Sequence, residues 1–101
     1  MAITINSENF ESEVLNSKVP VLIDFWSVTC GPCAMLAPNF EEAEKEVPDV
    51  KFCKIEISEN IKLVRSFKVM SVPTLILIQD GKEVKRSVGF ISKEEIIDML
   101  P

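Results

Sequence analysis

Two cysteines separated by two residues, Cys30 and Cys33, are the part of this sequence with the clearest capacity for chemistry. Thiols at this spacing can close a disulfide with each other and open it again, or they can hold a metal ion. Gly31 and Pro32 lie between them and are typical of a turn that leads into a helix. The first choice is therefore between redox chemistry and metal binding.

The number of available ligands argues against a metal. A structural zinc site usually takes four Cys or His ligands, and this chain has no histidine and only one further cysteine, Cys53. An iron–sulfur cluster held by one chain lacks a fourth thiolate, although a cluster shared between two chains stays formally compatible with the sequence. Two incidental cysteines would not explain the Gly-Pro between them. We expect no metal site, and we expect Cys53 to pack as a small apolar core residue.

Length and composition indicate a single globular domain over residues 1–101. Apolar residues make up 47% of the chain and charged residues 27%, which is enough apolar surface for a core. The net charge of −5 is spread without a basic stripe, so we expect no nucleic acid and no membrane as partners. The N-terminus lacks the basic start and long apolar run of a secretory signal, so we expect a cytoplasmic protein. In a reducing compartment, any disulfide should be a working one.

The pattern of apolar residues predicts strands and helices that alternate along the chain. The predicted strands are a short start at Ile3 and Ile5, Val21–Trp26, residues 50–57, residues 74–78 and a last strand that ends near Gly89. The predicted helices are one capped by Ser7, one from Pro32 to about Val47, one over residues 61–67 and one opened by a capping box at Ser92 and Glu95. Asp80-Gly81 predicts a tight turn between the last two strands. The order βαβαβαββα predicts an α/β fold, a mixed sheet with helices on both faces.

This order gives the two cysteines unequal surroundings. Cys30 follows the strand Val21–Trp26 and opens the next helix, and ligands in such sheets tend to lie beyond the carboxyl ends of strands. Free backbone N–H groups and the helix dipole stabilise an anion at a helix N-terminus. We therefore expect a lowered pKa for Cys30, which makes it the attacking thiolate. Cys33, one turn further in and more buried, should stay protonated until it is needed.

Several motifs together resemble the thioredoxin family. These are Asp24-Phe25-Trp26, Cys30-Gly31-Pro32-Cys33, Pro38, Val72-Pro73-Thr74 and Gly89. The match covers nearly the whole chain, and the combination is far more specific than the cysteine tetrad alone. The resemblance implies the thioredoxin fold, with a central mixed five-stranded sheet flanked by four helices, and a protein-disulfide reductase.

The resemblance also implies roles for individual residues. Cys30 would attack a disulfide in a target protein, and Cys33 would resolve the mixed disulfide, leaving an oxidised Cys30–Cys33 pair and requiring no bound cofactor. Asp24 would act as general base through water, since a carboxylate inside an apolar strand is costly and burial should raise its pKa toward neutrality. Lys54 would tune that carboxylate by charge pairing. The alternative for Lys54 is a strand lysine whose head simply reaches water.

The family's substrate-binding region is implied at a second set of positions. Pro73 matches the family's cis-proline, although a proline that starts a strand would suit the same place. The backbone of Val72 would pair with an extended target strand, beside a shallow apolar docking surface. That surface is expected to comprise Gly31, Val72, Gly89 and Phe90, with Trp26 packed beneath the motif or filling the core.

Two residues depart from the family's usual pattern. Thr29 stands where the family usually has tryptophan, and Ala34 stands where lysine often follows the second cysteine. Both substitutions change the rim around Cys30, because they remove docking area and a positive charge that would favour the thiolate. Neither removes a reacting group.

The partners expected by resemblance are target proteins with disulfides and a thioredoxin reductase, a flavoprotein, as electron donor to a monomer. A thiol–disulfide isomerase or oxidase of the same fold is one alternative, and Gly31-Pro32 resembles the reducing members more closely. A binding module without redox function is the other alternative. The presence of both cysteines with Asp24 and Pro73 argues against it.

Overall fold

The computed structural model describes residues 1–101 and contains one five-stranded sheet. The strands are β1 (Ile3–Thr4), β2 (Val21–Trp26), β3 (Lys51–Glu56), β4 (Thr74–Gln79) and β5 (Lys82–Val88). The helical elements are a π-helical turn (Glu11–Leu15), α1 (Gly31–Glu46), a 3₁₀ turn (Ile57–Glu59), α2 (Ile61–Ser66) and α3 (Lys93–Met99). Counting the π-helical turn, four helices accompany five strands in the predicted order. The predicted fold class is confirmed.

The strands lie in the order β1-β3-β2-β4-β5, so β2 is at the centre. β1, β3 and β2 run parallel, and β4 and β5 run antiparallel to their neighbours. A central strand covered on both faces must be apolar along its whole length, which explains the run of buried residues in β2. Asp24 is the exception, and it pairs with Lys54 on one side and with Leu75 on the other.

Each face of the sheet carries its own core of nine buried residues. Successive strand residues point to opposite faces, so Ile23 and Phe25 pack toward the π-helical turn and α2, whereas Leu22 packs toward α1 and α3. Asp24 has the same parity as Leu22 and therefore lies on the α1 face. This arrangement places a buried carboxylate beneath the helix that carries Cys33.

The hairpin between β4 and β5 turns at Asp80 and Gly81, as predicted. Both residues have positive φ, 53° and 77°, which is the backbone geometry of the preferred two-residue hairpin turn. The capping box of α3 is also confirmed, since Ser92 Oγ accepts from Glu95 N at 3.1 Å and Ser92 N donates to Glu95 Oε1 at 3.1 Å.

The predicted helix cap at Ser7 is wrong. Asn6 Oδ1 accepts from the backbone N–H groups of Glu8 at 2.8 Å and Asn9 at 3.1 Å. The π-helical turn then starts after Phe10 without a side-chain cap. Asn and Ser satisfy free N–H groups by the same geometry, and here the residue one position earlier does so.

None of the helices is both long and apolar enough to cross a bilayer.

Candidate active site

The connection between β2 and α1 fixes the position of Cys30. Ser27 Oγ accepts from Thr29 N at 3.3 Å and lies 3.2 Å from Thr29 Oγ1, and Cys30 N donates to Ser27 O at 3.3 Å. These bonds form a tight polar turn directly after the strand. Cys30 is consequently the N-cap residue of α1, with Pro32 in the first helical turn.

Cys30 and Cys33 are joined by a disulfide, with their Cα atoms 5.2 Å apart. Cys30 Sγ accepts a hydrogen bond from the backbone N of Cys33 at 3.1 Å. Cys30 is half-buried, whereas only 4% of the Cys33 surface is exposed. A partner approaching from solvent therefore reaches the sulfur of Cys30 first.

The loop before β4 lies against the same sulfur. The Val72–Pro73 peptide bond is cis, as the resemblance implied. The carbonyl oxygen of Val72 lies 3.7 Å from Cys30 Sγ, and Gly89 N donates to Pro73 O at 2.8 Å. The loop before β4 therefore contacts Cys30 directly, and Gly89 is attached to that loop through Pro73.

Asp24 lies behind the disulfide and is almost completely buried, with 1% of its surface exposed. Its Oδ1 atom has no hydrogen-bond partner. Burial raises the pKa of Asp24 from its ordinary value of 3.8 to about 6, and the positive charge of Lys54 opposes part of that rise. Asp24 is consequently able to exchange a proton near neutral pH.

A cavity of about 150 Å³ joins Asp24 to both cysteines. Its walls comprise Asp24, Trp26, Ser27, Val28, Cys30, Cys33, Ala34, Ala37 and Lys54. Most of these walls are apolar, but the volume is large enough for several water molecules, and Asp24 and Lys54 supply polar groups that could bind them. The cavity supplies the space that a water-mediated proton transfer between Asp24 and Cys33 would need.

Lys54 is half-buried and forms no ion pair. Its Nζ atom lies 5.8 Å from the ring centre of Trp26 and 6.0 Å from that of Phe40. Aromatic ring faces attract a cation at such distances. Lys54 thus lies within the site, between two rings, and it acts on Asp24 through space.

Cys53 lies on the same strand as Lys54 but points to the opposite face, where it is fully buried. Burial raises the pKa of its thiol to about 12. The thiol therefore stays protonated at neutral pH and lacks the reactivity of a thiolate. The prediction that Cys53 is a core residue is confirmed.

The other predicted site residues differ in exposure. Thr29, Gly31 and Ala34 are exposed, Trp26, Val72 and Gly89 are half-buried, and Phe90 presents 47% of its surface to solvent. Val72 contacts Cys30 through its carbonyl oxygen, and Gly89 is bonded to Pro73, the residue after Val72. Phe90 follows Gly89, just after the end of β5.

Sequence reasoning missed several residues of the cavity. Ser27 orders the turn before Cys30, and its signal was a hydroxyl residue directly after a buried strand. Ala37 lies four residues after Cys33 on the same helix face, a spacing that could have placed it in the wall. Glu56 does not line the cavity, but it pairs in register with Trp26 and has a buried Oε2 atom without a hydrogen-bond partner. A carboxylate at the end of a buried strand was the available signal.

No group of three or more His, Cys, Asp or Glu side chains lies close enough together to hold a metal ion. The remaining chemistry of the site is that of a dithiol and a disulfide, with a carboxylate of raised pKa behind them. Such a pair takes up or gives away two electrons by exchange with another disulfide.

Known proteins share these features over the length of the chain. The family model described as Thioredoxin matches residues 1–101. A thioredoxin of Mycobacterium tuberculosis (strain ATCC 25618 / H37Rv) is 42% identical over 104 residues, which cover 98% of this chain and 90% of that protein. The chain belongs to the thioredoxin family. A thioredoxin of Chlamydia pneumoniae is 45% identical over 96 residues, which cover 95% of this chain and 92% of that protein.

Membership of the thioredoxin family makes the chain a thiol–disulfide oxidoreductase of the dithiol type, as predicted. Nothing in the structure or in the relatives favours the isomerase, the oxidase or the binding module without redox function. A bifunctional thioredoxin reductase/thioredoxin of Mycobacterium leprae (strain TN) is 40% identical over 98 residues, which cover 96% of this chain and 21% of that protein.

Proposed function

We propose that Cys30 is the attacking thiolate and Cys33 the resolving thiol in the reduction of protein disulfides. The observation that carries this assignment is the unequal setting of the two sulfurs. Cys30 caps α1 and receives the N–H of Cys33 at 3.1 Å, whereas Cys33 is buried. In the reduced protein, the same N–H and the helix dipole favour a negative charge on Cys30.

The first step forms a mixed disulfide. The Cys30 thiolate attacks one sulfur of the target disulfide, a bond forms between them, and the other target sulfur leaves as a thiolate. The target segment would lie along the backbone of Val72, whose carbonyl is 3.7 Å from Cys30 Sγ. Thr29, Gly31, Gly89 and Phe90 would form the surrounding docking surface, with Trp26 beneath it.

The second step releases the reduced target. Asp24 accepts the proton of Cys33 through water in the shared cavity, and the Cys33 thiolate attacks the sulfur of Cys30. The bond between Cys30 and the target breaks, the target sulfur leaves as a thiolate and takes up a proton, and the Cys30–Cys33 disulfide closes. The raised pKa of Asp24 supports this role, because a base that titrates near neutrality can both take and return a proton. Lys54 tunes that pKa by its charge.

A donor must return two electrons and two protons to the disulfide. We assign this role to a thioredoxin reductase, a flavoprotein, and the fusion of the two activities named in the Mycobacterium leprae relative supports it. Residues 1–101 would act as a single domain and as a monomer, with no bound cofactor besides the redox-active disulfide. We place the protein in the cytoplasm, because the dithiol must be kept reduced between turnovers.

The roles of the cysteines are tested by turnover of insulin disulfides with dithiothreitol as electron donor. Cys30→Ser and Cys33→Ser should both fall to the rate of dithiothreitol alone, because each lacks one of the two sulfurs that the cycle needs. Cys53→Ala is the matched control and should retain turnover, since the Cys53 thiol is buried away from the cavity. Full activity of Cys30→Ser would contradict the mechanism.

A further inference from the structure

The Val72 loop, defined here as residues 67–73, is held at both ends by β5. At its C-terminal end, the backbone N of Gly89, directly after β5, donates to Pro73 O at 2.8 Å. At its N-terminal end, Arg86 of β5 donates from Nη2 to Phe67 O at 2.5 Å and from Nη1 to Lys68 O at 3.3 Å. The attachment at the C-terminal end is a backbone hydrogen bond, whereas the one at the N-terminal end depends on the side chain of Arg86 alone.

Arg86 is itself fixed by Glu83. Arg86 Nε donates to Glu83 Oε2 and Arg86 Nη2 donates to Glu83 Oε1, both at 2.8 Å. The two side chains are 29% and 35% exposed, so the pair is partly shielded from water. A forked pair of this kind is both stronger and more rigid than a single-point contact. The hydrogen bond from Arg86 also holds the pKa of Glu83 below its usual range.

A bulge in β5 makes this pair possible. Residues three apart on a regular strand point to opposite faces. In the hairpin, however, Arg86 pairs with Ile76 and Glu83 pairs with Ile78, and the register shifts between Leu77 and Ile78. One extra residue in β5 therefore returns Glu83 to the face of Arg86, which is the face covered by α2.

The carbonyls that Arg86 reaches are ones that need a partner. α2 ends at Ser66, and the last carbonyls of a helix have no partner within it. The chain then reverses at Lys68, whose φ of 56° is in the left-handed region. A charged side chain bound to Phe67 O and Lys68 O fixes the direction in which the loop leaves the helix. Val72 follows four residues after Lys68.

We propose that Arg86, oriented by Glu83, is a positioning residue for disulfide exchange, because it holds the Val72 loop where the Val72 backbone can receive a target strand beside Cys30. The proposal rests on the function proposed above. Arg86 touches no reacting atom, so its effect should appear in the binding of extended protein targets. A small disulfide that needs only the sulfur of Cys30 should react normally.

The test compares Arg86→Gln, Arg86→Lys and Glu83→Gln with Lys85→Gln as control. Lys85 neighbours Arg86 and is exposed, and its side chain forms no hydrogen bond or ion pair, so its replacement removes the same charge and leaves the bonds to Phe67 O and Lys68 O in place. The readouts are KM and kcat for insulin reduction, the rate with the small aromatic disulfide 5,5′-dithiobis(2-nitrobenzoate), and amide hydrogen exchange of residues 69–72.

We expect Arg86→Gln to raise KM for insulin about tenfold, which is the order of effect for a lost charged hydrogen bond or a misplaced binding group. The value of kcat and the rate with the small disulfide should stay within about twofold of wild type, and exchange in residues 69–72 should accelerate. Arg86→Lys should have a KM for insulin between those of the wild type and Arg86→Gln. Glu83→Gln should raise this KM as well, but by less than Arg86→Gln.

An unchanged KM in Arg86→Gln would overturn the proposal, as would an equal loss in Lys85→Gln. A parallel fall in the rate with the small disulfide would also overturn it, because the defect would then lie at the dithiol. Failure of the wild-type protein to reduce insulin would instead contradict the proposed function.

Discussion

Asp24 shows at the scale of one residue how stability and chemistry oppose each other. A carboxylate in the central strand of a sheet loses its hydration, and Asp24 Oδ1 recovers no hydrogen bond in return. Lys54 offsets only part of this cost, because its ammonium lies between two aromatic rings without forming an ion pair. The ionised form of Asp24 thus destabilises the folded protein, and the role proposed for Asp24 as base for the Cys33 thiol would account for a carboxylate at this position.

Replacement of Asp24 should therefore stabilise the protein in a pH-dependent way. The pKa of Asp24 is about 6 in the folded chain and 3.8 ordinarily, so the folded state binds the proton more tightly. The stabilisation that this tighter proton binding gives the folded state is fully present below pH 3.8. It is lost as the pH rises through about 6, by about 3 kcal/mol in total. The free energy of unfolding of Asp24→Asn relative to wild type should consequently increase from pH 4 to pH 8.

Denaturant unfolding of the oxidised proteins at the two pH values measures this difference. The change between pH 4 and pH 8 is the observable, because the cost of an unpaired buried amide is the same at both. Asp49→Asn, which removes a carboxylate at an exposed loop position, is the matched control. A relative stability of Asp24→Asn that does not depend on pH would contradict the raised pKa.

At the scale of elements, helix starts differ in how far the sequence determines them. Ser92 and Glu95 were predicted as a capping box, and both of its hydrogen bonds are present. Such a box is local, since all of its atoms lie within four residues. Ser7 was predicted to cap a helix, but Asn6 accepts the free N–H groups and the helical turn starts later. Two neighbouring residues with equivalent side chains cannot be separated by local pattern alone.

Ser92→Ala should lower the free energy of unfolding by about 1 kcal/mol, because the backbone N–H of Glu95 in the first turn of α3 loses its partner. Ser66→Ala is the control, since Ser66 Oγ donates only to Leu63 O in an exposed last turn. Chemical denaturation of both variants gives the comparison. Equal effects of the two substitutions would show that the capping box contributes nothing particular to α3.

The Arg86–Glu83 ion pair could not be predicted from the sequence, although the hairpin that carries it could. The hairpin is predictable from its turn and from alternation, yet the pair depends on one extra residue in β5 and on the carbonyls of Phe67 and Lys68, which follow α2. Neither the bulge nor the approach of α2 is encoded in a local pattern. Cys30, Cys33 and Asp24 could be predicted because their chemistry is local to one strand, one turn and one helix start.

At the scale of the whole molecule, the sheet order brings the site together. β2 ends just before Cys30, while the antiparallel β4 begins at Thr74, opposite Phe25 and Val88. Val72, Pro73 and Gly89 are therefore carried to the edge where β2 ends. The antiparallel hairpin thus places the Val72 backbone, the proposed docking strand, beside Cys30, whose position is set by the end of β2.

Trapping the mixed disulfide tests the roles assigned to Cys30 and Cys33 most directly. Reduced Cys33→Ser is mixed with oxidised insulin, and the products are mapped by mass spectrometry after proteolysis without reductant. We predict a covalent adduct on Cys30 that dithiothreitol releases, because the resolving thiol is absent. Cys30→Ser should form little adduct, since Cys33 is only 4% exposed. Two results would contradict the assigned roles. One is an adduct on Cys53, and the other is an adduct on Cys33 of Cys30→Ser that forms as readily as the adduct on Cys30 of Cys33→Ser.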